Sequence, residues 1–388
     1  MDDVYVTGAA MTRFGKHLER SSRDLVEEAV AGALADAEVG AEQIGAVYVG
    51  NAVSGLMTGQ ESIRGQVVLR RTGLLGVPIV NVENACASSS TALHLGWQAV
   101  AAGMQERVLV VGYEKLYDQD RQKSYRAFNA SMDLDEMRGR FPGAGETRSV
   151  FMDLYASFAE RGADRPGTNV EALGMVSVKN HRHGALNPLA QFSEALTLEQ
   201  VLGSRAIAGP LTLLMCSPLS DGAAALVLGR RPRGARSVRI AASVLTSGRG
   251  DDEARPDAAT RAATSAYERA GLGPEDLGVV ELHDATSIAE LQLYEELGLC
   301  GGGEAARLVL DRVTWLGGRL PVNPSGGLLA RGHPIGATGA GQVVELAWQL
   351  QGRCRERQVP GAKVALAQNG GGWVGTDAAA CAVHVLVA

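Results

Sequence analysis

VGAEQIGAVYVGN (39–51) and LGPEDLGVVELHD (272–284) decide the fold of this chain. Each reads as a helix end, a turn and a strand, and the two line up residue by residue. Their surroundings correspond as well. Helical stretches at 22–37 and 257–270 precede them, and small-residue turns run into helices at 84–103 and 332–351. Strands at 108–112 and 363–368 follow those helices. One unit therefore occurs twice, at about 1–115 and 236–388. Within each copy, short apolar runs bounded by glycine (VYVTG 4–8, AVYVG 46–50, VLVVG 108–112, VVELHD 279–284, KVALAQ 363–368) alternate with helices. That alternation is the signature of an α/β fold.

Between the copies, 116–235 has another texture, rich in charge and in aromatics such as Tyr117, Tyr125, Phe128, Tyr155 and Phe158. It reads as a loop domain inserted into the first half, so the expected organisation is 1–235 (core 1–115, insert 116–235) and 236–388. Long insertions into a compact core commonly form lids or binding loops. The arginine-rich stretch 230–239 reads as a solvated linker into the second half.

The 388 residues are 46% hydrophobic and 21% charged, the balance of a folded chain. A net charge of −6 argues against a general nucleic-acid or anionic-membrane binder. Five widely spaced cysteines do not make a disulfide framework and point to reduced thiols inside a cell. The stretch MDDVYVTGAA (1–10) lacks a basic secretory region, and no apolar run reaches the roughly 18 residues of a membrane span. A cytoplasmic location is expected, with no nucleic-acid or membrane partner.

Four strand-end motifs carry candidate chemistry. In NVENACASSSTALHLGWQAVAAGM (81–104), Cys86 ends a strand and small residues open an apolar helix. A cysteine at a helix N-terminus meets the positive end of the macrodipole, which favours the nucleophilic thiolate and predicts a lowered thiol pKa; a buried structural cysteine is the alternative. In NPSGGLLARGHPIGATGAG (323–341), glycine-rich turns flank His333, and Pro334 is placed to begin a helix. These glycines do not form a dinucleotide fingerprint. His283 and Asp284 end the strand of ELHDATSIAEL (281–291). In ALAQNGGGWVGTDAA (365–379), Gly370, Gly371 and Gly372 follow a strand and offer N–H groups to an oxyanion. His181 and His183 have no partners at metal spacing, so no metal site is expected. His17, His94 and His384 read as surface or packing residues, and Cys300, Cys354 and Cys381 lack a chemical context.

At this point the chain resembles the thiolases, and among them the sterol-carrier-protein-2 type, over nearly its whole length. The marks are CAS at Cys86, HDAT at His283, NPSGG with RGHPIGATG around His333, VSVKNHRHGALNPLAQF (176–192) and CSPLSDGAAALVL (216–228). The resemblance implies two βαβαβ-type halves in five alternating αβαβα layers, a loop domain over the site, and a homodimer or dimer of dimers. It implies coenzyme A thioesters as substrates, with no permanently bound cofactor. Cys86 would carry the acyl group, His333 would draw its proton, and His283 would stand where many thiolases have a water-holding asparagine. The N–H groups of Cys86 and of a glycine near Gly370 would form an oxyanion hole. Lys179 and the arginines of the insert are the cations on offer to the phosphates of coenzyme A.

One departure matters. Most thiolases supply a second catalytic cysteine in a C-x-G motif, where this chain has Gln368–Asn369–Gly370. The sterol-carrier type moves it into H-D-C-F, where this chain has Ala285 and Thr286. Removal of an α-proton still needs a base, and His283 is the expected substitute. The leading reading is thiolase-type acyl transfer. Decarboxylative condensation by a Cys-His-His set, retro-aldol cleavage with a small OB-fold partner, and a non-catalytic acyl-CoA or lipid carrier are the alternatives.

Overall fold

A computed structural model describes residues 2–140, 148–162, 169–232, 237–250 and 256–388. The middle of the arginine-rich stretch (233–236), with the expected boundary between the halves, lies outside them. The first half contains β1 (Tyr5–Met11), α1 (Ser22–Ala37), β2 (Ala46–Gly50), β3 (Ile79–Val82), α2 (Ser88–Ala101) and β4 (Arg107–Lys115). Helices α3 (Arg121–Asn129), α4 (Val150–Gly162) and α5 (Val170–Gly184) follow, then β5 (Asp221–Gly229). The second half contains β6 (Val238–Ser247), α6 (Ala258–Ala270), β7 (Val279–Glu281), α7 (Ser287–Glu296), α8 (Thr338–Leu350), β8 (Val364–Val374) and β9 (Asp377–Val387).

The strands form one sheet in the order β3-β2-β4-β5-β1-β6-β9-β8-β7, continuous across β1 and β6 through Tyr5–Arg239 and Val6–Val238 pairs. Read outward from that junction, each half repeats the same order, and a parallel bridge from Val280 to Val322 takes the place of β3. The doubled body expected from the sequence is therefore present. One boundary needs correcting. Residues 221–229 are a central strand between β1 and β4, so the insert does not run on to 235. The small residues of DGAAALVLG, all buried, fit a strand covered on both faces.

Five layers result: α1 lies over β1 and β5, α6 lies over β6 and β9, and α2 and α8 pack against each other between the halves. Sequence explains the difference between outer and inner helices. Helix α1 carries a Ser21/Asp24 capping box and buries one stripe (Leu25, Val26, Ala29, Val30, Ala33). Helix α8 is buried on nearly every side, consistent with its small and apolar residues. Gly112 shows how tight the middle layer is. A Cβ there would lie 2.5 Å from the Ser89 Cβ and 2.6 Å from the Gly336 carbonyl oxygen. Among the described residues, no helix is long and apolar enough to cross a membrane.

Buried ion pairs fix the loops of the second half. Arg331 and Glu281 are both fully buried and paired at 3.2 Å, and Glu281 also accepts from the Ser325 N–H and hydroxyl. Lys179 on α5 donates to Glu290 on α7 and to the Val322 carbonyl, and Asn323 donates to Glu290. Removing one member of such a pair strands a charge out of water. Glu281→Ala is expected to cost about 3–5 kcal/mol of stability, read from denaturant unfolding. A loss under 1 kcal/mol would show that Arg331 finds another anion or water.

Candidate active site

Cys86 sits in a one-turn 3₁₀ segment, Ala85–Ala87, between β3 and α2. Ala85 has φ +48°, a left-handed conformation uncommon for a residue with a side chain. The turn is held by Ser88, whose hydroxyl donates to the Ala85 carbonyl and accepts from the Asn84 N–H. His283 follows β7, and His333 lies in the loop entering the turn Ile335–Ala337 before α8. His333 is thus slightly ahead of the place that corresponds to Cys86. All three residues are buried, at 7%, 7% and 1% exposure.

The fold brings them together. The sulfur and one nitrogen of each ring lie within 4.8 Å of one another, and the rings stand edge to face with centroids 5.0 Å apart. Cysteine and two histidines are also donors that zinc accepts. A soft cation held there would compete for the nucleophile.

Partners on the far side of each ring give the histidines opposite roles. Ser90 donates to Asn369 Oδ1 at 3.0 Å, leaving the amide Nδ2 to donate to His283 Nδ1 at 2.8 Å. A ring that accepts at Nδ1 carries its proton on Nε2 and presents a donor at its other nitrogen. His333 is arranged the other way. The Thr338 hydroxyl donates to the Pro334 carbonyl, so its oxygen accepts from His333 Nδ1 at 2.7 Å and leaves Nε2 with a lone pair. The His333 N–H is fixed by the Ser220 hydroxyl at 2.9 Å, and the His283 N–H by Gln368 Oε1 at 3.1 Å.

Electrostatics revise one expectation. The Cys86 thiol is pushed up to about 12, not down, by burial above all and then by the Glu114 carboxylate; the N–H groups of Gly372 and of Cys86 itself oppose this. Burial outweighs the helix terminus. Burial also depresses His283, to about 4, and depresses His333 strongly, with the charges of His283 and Arg331 adding to the effect. The resting pair is therefore a neutral thiol beside a neutral imidazole. A base depressed in this way stays unprotonated as pH falls. The rate of acyl loading on Cys86 is accordingly expected to show no loss centred near pH 6.5; a limb with an apparent pKa of 6–7 would contradict this.

One other site expectation changes, and one gains a neighbour. The N–H of Gly372, φ +65°, favours the Cys86 thiolate, while Gly370, the glycine expected to serve an oxyanion hole, lines the same cavity. Gly371 makes the approach possible: a Cβ there would fall 2.2 Å from the Asn84 carbonyl oxygen and 2.6 Å from the Ala87 nitrogen. Lys179 is fully buried on Glu290 and so is no phosphate ligand. Asp284 is structural, accepting from Asn180 and from the N–H groups of Leu328 and Leu329. His181 and His183 serve packing and loop positioning: His181 stacks on Phe192, and His183 meets the Asn323 carbonyl and the Leu316 N–H. Cys381 is buried against Gln368, and Cys300 does not line the site.

A cavity of about 470 Å³ opens above Cys86, His283, His333 and Gly370–Gly372. Its outer wall comes from the insert and carries Arg121, Arg148 and Arg205, with Lys16 from the first half. Lys16 lies 4.9 Å from the Tyr117 ring centroid. A buried thiol, a neutral imidazole with a free lone pair and N–H donors beneath a cation-rimmed cleft form an arrangement suited to thioester exchange.

The thiolase N-terminal domain model matches residues 4–231, and the thiolase C-terminal domain-like model matches 246–383. The chain belongs to the thiolase family. It is 41% identical to an acetyl-CoA acetyltransferase of Methanothermobacter thermautotrophicus, over 99% of both chains. It is 37% identical to sterol carrier protein 2 of Homo sapiens, over 94% of this chain and 69% of that one. Among solved structures, the Ltp2-ChsH2(DUF35) aldolase superposes with TM-score 0.79 at 25% identity, covering 100% of this chain and 98% of that one. Human mitochondrial 3-ketoacyl-CoA thiolase superposes with TM-score 0.71 at 18% identity over 100% and 99%, which speaks for the fold. This thiolase is an acyltransferase of the α/β layered type that its sequence predicted.

Proposed function

We propose that Cys86 carries the acyl group through which this thiolase forms or cleaves a 3-ketoacyl-CoA. His333 Nε2 takes the Sγ proton as the sulfur attacks the thioester carbonyl. The N–H groups of Cys86 and Gly372 hold the tetrahedral oxyanion. Coenzyme A leaves as a thiol, receiving that proton from His333, and Cys86 is left acylated. In the condensing direction His333, neutral again, removes the α-proton of a second acyl-CoA while the His283 Nε2–H holds the enolate oxygen. The enolate carbon attacks the acyl carbonyl, the carbon–sulfur bond to Cys86 breaks, and His333 returns the proton to sulfur. This scheme replaces the expected His283 base. The observation that supports it is the opposite hydrogen bonding of the two rings, Asn369 donating to one and Thr338 accepting from the other.

The scheme needs no resident cofactor, since the coenzyme A thioesters arrive as substrates. Arg121, Arg148, Arg205 and Lys16 supply cations for their phosphates. Thiolysis of acetoacetyl-CoA by free coenzyme A tests the reading: the wild type should consume it and Cys86→Ala should not. Decarboxylation of malonyl-CoA without any thiolysis would favour the ketoacyl-synthase-like alternative instead. The likeness to an aldolase assembled with a DUF35 protein supports a small OB-fold partner, to be sought by co-purification. Among the described residues, strand β3 pairs only with β2 and leaves Val80 40% exposed, so a homodimer joined at this edge belongs to the proposal. A monomeric mass by light scattering would remove it. A cytoplasmic location remains part of the same reading.

A further inference from the structure

A second chamber of about 340 Å³ adjoins the first, and the two share Tyr155, His283, Gly370, Trp373 and Ala378. It opens beside the ring that faces the reacting carbonyl, yet Cys86 does not line it. Helix α7 forms its long wall, starting four residues after His283. Ala289, Gln292 and Glu296 recur at helical spacing along that wall, a reach of about 10 Å at 1.5 Å per residue. Ile288, Leu291, Leu293, Phe158 and Trp373 make much of the lining apolar.

Charge separates the two chambers. The first carries Lys16, Arg121, Arg148 and Arg205. The second carries Asp257, Glu295, Glu296 and Asp377, with Arg161 as its one cation among the described residues. Most of these groups are already engaged. Asp257 caps α6 at the Thr260 N–H, and Asp377 accepts from the Ala258 N–H and faces Arg261 at 3.6 Å. Glu295 accepts from the Gly303 N–H, and Arg161 lies over the Phe158 ring at 4.9 Å. Glu296 alone of the four carboxylates has no hydrogen-bond or ion partner among the described residues.

We propose that this second chamber receives the acyl chain of the substrate, and that the chain it suits is of medium length and ends in a hydrogen-bonding group that meets Glu296. The inference rests on the acyl-Cys86 reading. Phosphates are drawn to the cationic chamber and repelled by the acidic one, so the coenzyme A arm and the acyl chain part at His283 and Gly370. An apolar wall takes the methylene groups. The Glu296 carboxyl is pushed up to about 8 by burial and by Asp257, Asp377 and Glu295. At neutral pH it is therefore mostly protonated and offers an O–H to a distal hydroxyl or carbonyl oxygen.

The test compares Cys86 loading from acetyl-CoA, octanoyl-CoA and omega-hydroxyoctanoyl-CoA in the wild type, Ala289→Phe and Glu296→Leu. Ala289→Phe fills the chamber and should lower octanoyl loading about tenfold or more while leaving acetyl loading within about twofold. Glu296→Leu should abolish a preference of about tenfold for the hydroxylated over the plain chain. Acetyl loading controls for folding and for the acyl-Cys86 reading: its absence from the wild type overturns that reading. Normal acetyl loading with octanoyl loading unaffected by Ala289→Phe overturns the chamber alone. If Ala289→Phe fails to load acetyl, Glu296→Leu decides, and an unchanged chain preference rejects the proposal.

Discussion

His333→Gln should slow acylation of Cys86 by about 10⁴-fold or more. With the thiol pushed up to about 12, only about one molecule in 10⁵ holds a thiolate at pH 7. The buried sulfur cannot rely on spontaneous ionisation, so in the proposed scheme the nearby lone pair of His333 takes the proton during attack. Glutamine keeps a polar side chain of similar reach and removes the base. Pre-steady-state loading from acetyl-CoA gives the rate directly. A second prediction follows from the same arrangement: the rate in the variant should rise with pH, because hydroxide now has to make the thiolate. A variant that loads within tenfold of wild type, with a flat pH dependence, would remove His333 from this role.

Asn369→Asp should lower condensation and thiolysis by about 10²–10³-fold while leaving the fold intact. The substitution is nearly isosteric, but a carboxylate in place of the amide accepts from His283 Nδ1 instead of donating to it. The ring then carries its proton on the wrong nitrogen and turns a lone pair toward the substrate oxygen. A donor in the oxyanion site becomes a repulsive acceptor. The damage should fall on kcat more than KM, because the enolate gains its charge only as the reaction proceeds. Acyl loading of Cys86, which in the proposed scheme uses His333 and backbone N–H groups instead of His283, should fall much less. Equal loss in both half-reactions would show that Asn369 serves packing and not the His283 tautomer.

The three side chains that meet at the site, Cys86, His283 and His333, are legible in the sequence because each stands at a strand end or helix entry of a repeated unit. Such positions face a common crevice once the halves pack with α2 and α8 between them. The acid–base roles were not legible. They depend on Asn369 and Thr338, partners brought to the rings by the β8 strand and the first turn of α8. The direction of the thiol shift is hidden from the sequence for a related reason. A helix terminus is visible in sequence, but the depth at which Cys86 lies beneath β8 and beside Glu114 is a property of the packed body. Residues 221–229 read as part of the insert because their strand pairs with β1 and β4, far back in the chain.

Intact-protein mass spectrometry after brief exposure to acetyl-CoA tests the central claim most directly. The wild type should gain one acetyl group, located on Cys86 by peptide mapping and discharged by free coenzyme A, while Cys86→Ala gains none. Unmodified wild type under conditions where it turns over acetoacetyl-CoA, or an acetyl group on any residue other than Cys86, would contradict the account.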